Sequence, residues 1–106
     1  MENNKILALR VALLKAVYAA DQKKDVENEG TCNFDTPCLI LPGWKKSEVS
    51  EAFLLTGLRP YFQRDNVVSI FDGCRGQGFR RTAMAEAMRD SLKEDGYKAF
   101  VDYRTD

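Results

Sequence analysis

A chain of 106 residues, 44% hydrophobic and 30% charged, has material for one globular domain with a single modest core, and no room for separate catalytic and binding domains. Sixteen basic side chains balance sixteen acidic ones, which excludes bulk charge as a driver of either DNA mimicry or nucleic-acid coating. There is no histidine, so Ser-His-Asp and Cys-His catalysis, histidine metal sites and histidine pH switches are all excluded. No apolar run reaches the roughly 18 residues of a membrane span, and the polar, then amphipathic, N-terminus does not read as a signal peptide. Cys32, Cys38 and Cys74 are odd in number and irregular in spacing, a poor disulfide framework. The expectation is a cytoplasmic protein with no metal and no cofactor.

In chain order, Ile6, Leu9, Leu13, Leu14, Val17 and Tyr18 recur at helical spacing and predict an amphipathic helix from Asn3 to about Gln22. The polar stretch that follows reads as a connecting loop to residue 36, long for a small domain. Pro37-Cys38-Leu39-Ile40-Leu41-Pro42 reads as a buried strand. Ser47 is a plausible N-cap, with Glu48 in the first turn and Val49, Ala52, Phe53 and Thr56 on one helical face, and Gly57 supplies the stop. The runs 59–64 and 67–71 flank Asp65-Asn66 and predict a hairpin. Residues 79–95 predict a helix lined by Met84, Ala87, Met88, Ser91 and Leu92, and 98–103 a closing strand.

After the first helix the order is β-α-β-β-α-β, the ferredoxin-like arrangement. The predicted architecture is an α+β, ferredoxin-like βαββαβ sandwich over 37–106, with an additional N-terminal helix over 1–22 and a loop over 23–36, all in one domain. In that arrangement the first and third strands are central. Here those are the uniformly apolar ones, while Pro60, Arg64 and polar alternation mark the second and fourth as edges. Two helices cover only one face of such a sheet. The second face needs the N-terminal helix or a second copy of the chain, which makes a homodimer one expectation.

The segment from Asp72 to Thr82 follows a strand and opens a helix. Glycines permit close backbone approach, a helix N-terminus favours anions, and arginines match phosphate or carboxylate bidentately. The candidate binding residues are therefore Arg75, Gly76, Gln77, Gly78, Arg80, Arg81 and Thr82, joined by Arg59 and Arg104 if the fold gathers them at one pole. The competing expectation is that the arginines are tied down internally by Asp35, Asp72 or Asp102. Named phosphate motifs fit poorly. Phe79 and Arg80 stand where a P-loop needs lysine and a hydroxyl, and Gly76-Gln77-Gly78 lacks the third glycine of a dinucleotide fingerprint. RGQGF resembles an RNA-recognition signature but falls after the strand that should carry it. Cys74 beside Arg75 is a candidate reactive thiol.

The stretches NFDTP at 33–37, LPGW at 41–44, GQGFRRT at 76–82, AEAM at 85–88 and GYKAFVDYRTD at 96–106 resemble small phage- and prophage-encoded proteins of Clostridia-type bacteria. The resemblance spans roughly residues 30–106 and carries over no catalytic residue. It implies an accessory protein acting inside a bacterial host cell. The leading expectation is a non-enzymatic protein that binds a host protein or ribonucleoprotein, such as an anti-CRISPR-like inhibitor of a defence system. The alternative is a nucleotide or nucleic-acid binder holding phosphate with loop 73–82. A third, weaker reading is a small enzyme with Cys74 as nucleophile.

Overall fold

The structure, a computed structural model, describes residues 3–27, 30, 33–74 and 78–104. It is an α+β fold: α1 (Asn3–Asp21), β1 (Thr36–Ile40), α2 (Lys46–Phe53), β2 (Arg59–Phe62), β3 (Val67–Phe71), α3 (Gly78–Glu94) and β4 (Lys98–Asp102). The four strands form one sheet in the order β2-β3-β1-β4, every neighbouring pair antiparallel. The apolar β1 and β3 hold the central positions, and β2, which carries Pro60, is an edge.

The β2–β3 hairpin forms where the sequence signals it. Asp65 and Asn66 both adopt positive φ, 59° and 65°, the pairing whose twist matches flanking strands. Two element ends differ from expectation. The cap of α2 lies at Lys45 rather than Ser47, because the Glu48 side chain folds back to accept the Lys45 N–H at 2.8 Å. The helix then stops at Phe53, short of Thr56, whose hydroxyl donates to the Phe53 carbonyl at 2.6 Å. The first strand begins at Thr36 and ends at Ile40, one residue ahead of the predicted run at its start and two at its end.

Strand residues alternate between two environments. Leu39 and Leu41 from β1 and its end, Val68 and Ile70 from β3, and Phe62 and Ala99 from the edges join one cluster. The same cluster takes Leu9, Leu13 and Ala16 from α1, Val49 and Phe53 from α2, and Met84, Met88 and Leu92 from α3. All three helices therefore lie over the same face of the sheet. This corrects one of the two expectations for the second face, that α1 covers it. α1 instead bridges α2 and α3, whose backbones do not approach each other. Its inward stripe is Ile6, Leu9, Ala12, Leu13, Ala16 and Ala20, all buried. The alanines recur every four residues and let α1 pack closely along α3. Leu14 and Tyr18, predicted to face inward, are exposed instead.

The opposite face of the sheet carries the other parity: Thr36, Cys38 and Ile40 on β1, Val67, Ser69 and Phe71 on β3, Tyr61 on β2, and Phe100 and Asp102 on β4. None of these joins the core cluster, and no described helix lies over them.

Candidate functional site on the uncovered sheet face

The uncovered face forms an open groove of about 990 Å³. Its floor is built from the strand register. Tyr61 stands opposite Ser69, and Arg59 opposite Phe71, so Tyr61 and Phe71 meet on the diagonal. Their rings stack with centroids 5.4 Å apart and planes 17° from parallel. The Arg59 guanidinium lies 5.7 Å from the centre of the Phe71 ring. Beside this pair, Gln63 donates its amide N–H to the Ser69 hydroxyl, and Ser69 lies 3.5 Å from Cys38 Sγ. Tyr61 is 55% exposed, as is Phe34 at the other end of the groove. Arg64, Arg81 and Arg104 stand along the groove with Asp65 and Asp102.

The segment that ends this groove is anchored by one buried carboxylate. Asp35 Oδ2 accepts the Thr82 hydroxyl at 2.6 Å, and Oδ1 accepts the Arg104 N–H at 2.9 Å. Arg81 Nε donates to the Asp35 carbonyl at 3.0 Å. Asn33 donates to the Gly78 carbonyl at 3.0 Å, and the Phe34 N–H donates to the Arg104 carbonyl at 2.9 Å. The lead-in to β1, the first turn of α3 and the tail after β4 are thus locked together. That lock sets Arg81 and Arg104 at the groove.

The sequence-selected residues divide accordingly. Arg75, Gly76 and Gln77 lie outside the described residues. Arg59, Arg81 and Arg104 reach the sheet end as the topology requires. Arg59 is paired with Asp72, Nε to Oδ2 at 2.5 Å, and Arg104 with Asp102, Nε to Oδ2 at 2.8 Å. The Asp72 pair lowers the carboxyl's pKa, chiefly through the hydrogen bond from Arg59. Both pairs are solvent-exposed, and such pairs contribute little to stability. Arg80 turns away and donates to the Val26 carbonyl at 3.0 Å. Gly78 and Thr82 line a separate recess of about 370 Å³, together with Asp35 and Phe79. All three aspartates named as internal partners are therefore used. Asp72 and Asp102 pair with arginine side chains, while Asp35 serves Thr82 and the backbone.

Sequence reasoning missed Tyr61, Phe71, Phe34, Gln63 and Arg64. The signal was present in the alternation of β2 and β3. Using it required knowing which face the helices leave open.

Cys74 is tucked under the sheet end. A Cβ on the preceding Gly73 would come within 2.9 Å of both Leu58 Cδ2 and Met88 Sδ, so those two side chains would have to shift to admit one. Cys74 Sγ itself lies 3.9 Å from Met88 Sδ. Burial pushes its thiol up to about 11, against a smaller opposing pull from Arg81. At pH 8 about one molecule in a thousand then carries the thiolate. Iodoacetamide at pH 8 is therefore expected to label Cys74 far more slowly in folded than in urea-unfolded protein. Equal rates, read by peptide mass spectrometry, would show an activated thiol instead.

Among the described residues no group of histidine, cysteine or carboxylate side chains is arranged to hold a metal ion. No described helix is long and apolar enough to cross a membrane. Comparison with protein-family models, with curated proteins and with solved structures returns no match.

Proposed function

We propose that this chain is a non-enzymatic binding protein that takes single-stranded nucleic acid, as the exposed RNA of a host ribonucleoprotein, across the uncovered face of its sheet. The observation that carries this reading is the stacked Tyr61–Phe71 pair on the floor of a groove flanked by Arg64, Arg81 and Arg104. Exposed aromatic rings on a sheet offer π-faces to unstacked bases, and arginines beside them meet the phosphates. A duplex hides its base faces and gains only the arginine contacts. The balanced net charge agrees with this: local stacking, rather than bulk electrostatics, supplies most of the affinity. In the phage setting implied by the resemblance, such a grip on exposed RNA obstructs a ribonucleoprotein of the host's defence from the cytoplasm.

The same reading takes the β1–β4 portion as a ferredoxin-like sandwich. Its support is the order β2-β3-β1-β4 with antiparallel neighbours, and helices in the β1–β2 and β3–β4 connections.

The test is fluorescence anisotropy with a short labelled pyrimidine RNA, the matching DNA strand, and their duplex. Both single strands are expected to bind, and the duplex to bind more weakly. With up to three phosphate contacts, log K is expected to fall with log salt at a slope of about −2. Absence of single-strand binding at low salt, or a preference for duplex, would overturn the proposal.

A further inference from the structure

A second surface stands apart from the sheet face. α1 is apolar on two opposite sides. One side is the core stripe. The other is Leu7, Val11, Leu14 and Tyr18, exposed at 52%, 56%, 45% and 69%. A helix with a second apolar stripe opposite its core stripe ordinarily buries that stripe as well. The spacing of the outer stripe is four, three and four residues, the seam of a two-stranded coiled coil with Val11 and Tyr18 in one set of positions and Leu7 and Leu14 in the other. Such a seam is complementary to a copy of itself. Beside it, α1 and α3 enclose an open groove of about 630 Å³, lined by Val11, Leu14 and Tyr18 with Ala87 and Ser91.

We infer that this outer face of α1 is the interface of a homodimer, packed against the same stripe of a second copy across a two-fold axis. Three observations select a second copy as the occupant. The seam spacing is the first. The second is area: the four side chains expose on the order of 400 Å², about half of the roughly 800 Å² per partner of a standard interface. The third is continuity. Arg10 donates to the Glu51 and Ala52 carbonyls, at 2.5 Å and 3.4 Å, and so holds the end of α2 beside the middle of α1. Leu54 and Leu55 follow there, exposed at 59% and 87%, with Leu55 in the left-handed region at φ 69°. These leucines extend the apolar surface from α1 towards the remaining area. Of the charged residues that border this face and its groove, Lys15 is held at 2.8 Å by Asp95 and Asp90 at 2.9 Å by Arg89, while Glu94 stands at the rim of the groove. Closing the seam therefore leaves Lys15 and Asp90 with their partners, and keeps Glu94 at the solvated rim.

This interface lies on the helical side, opposite the groove. A dimer formed through it leaves both sheet faces turned outwards, so the inference does not depend on what the groove binds.

The experiment is size-exclusion chromatography with light scattering on the full chain, over a dilution series. The wild-type protein is expected to run at twice the 12.0 kDa chain mass and to dissociate on dilution. Val11→Glu, and separately Leu14→Glu, are expected to run at the single-chain mass with an unchanged circular dichroism spectrum, since both side chains are exposed in the single chain. A wild-type protein that stays at the single-chain mass at its highest soluble concentration would overturn the inference. So would a dimer that survives both α1 variants and is broken by Tyr61→Lys, which would place the interface on the sheet.

Discussion

Leu13→Ala is expected to lower the unfolding free energy by about 3 kcal/mol, and Leu14→Ala, one residue further on, by less than about 0.5 kcal/mol in the single chain. The two leucines are equivalent in the sequence but not in the fold. Leu13 has no exposed surface and sits in the cluster that joins α1 to both other helices and to the sheet. Truncating it removes three carbons and leaves a cavity between elements that are far apart in the chain. A domain of this size has only about 5–15 kcal/mol of total stability, so the loss is a large share of it. Leu14 is on the outer stripe. Its truncation removes surface already in water, and any stabilisation it gives is through self-association and so depends on protein concentration. Urea unfolding of both variants at low concentration reads the difference. Equal losses would mean that α1 is seated differently on the sheet.

Replacing Tyr61 and Phe71 together by alanine is expected to weaken single-strand binding by about 100-fold. Tyr61 is the exposed stacking platform and Phe71 backs it, and loss of one stacked base costs about 1–3 kcal/mol. The rings also fix each other, so the single variants are expected to lose more than half of the double's effect each, a coupling that a double-mutant cycle reads directly. Tyr61→Phe keeps the π-face and is expected to bind nearly as the wild type does. Arg64→Ala tests the other half of the grip. It is expected to weaken binding uniformly across sequences and to reduce the salt slope by about 0.7. Tyr61 is more than half exposed, so Tyr61→Ala should fold normally, which separates lost binding from lost structure.

The element order was legible because each element has a local cause. Helical periodicity marks α1 and α3, Asp65-Asn66 marks the hairpin, and apolar composition marks β1 and β3 as central. The orientation of α1 was legible only in part. Ile6, Leu9, Leu13 and Val17 do face the core, but the large Leu14 and Tyr18 read as part of the same stripe, in place of the small Ala12, Ala16 and Ala20 that are buried. The inner stripe mixes large Ile6, Leu9 and Leu13 with small Ala12, Ala16 and Ala20, and no hydrophobicity ranking selects those alanines over Leu14 and Tyr18. The start of α2 was misplaced for a different reason. The cap there is made by Glu48 reaching back, and no preference for serine registers it.

The arginines illustrate a second limit. Their number and clustering in sequence drew attention to the loop after β3. Their partners depend on strand register and on the lock around Asp35, which no local pattern encodes. Arg59, Arg81 and Arg104 do come to one end of the sheet, as the topology implied. The groove that Arg81 and Arg104 border, however, is floored by aromatic residues that sit on alternate strand positions. Tyr61 and Phe71 are ten residues apart, and become a pair only once the hairpin register puts Ser69 opposite Tyr61.

The central claim, that the uncovered sheet face is the binding surface, is tested most directly by photocrosslinking iodouridine-substituted single-stranded RNA to the wild-type protein and mapping the joined peptides by mass spectrometry. The account predicts cross-links at Tyr61 and Phe71, lost on adding excess unlabelled strand. Cross-links confined to α1, or to residues 73–82 with none on β2 or β3, would contradict it.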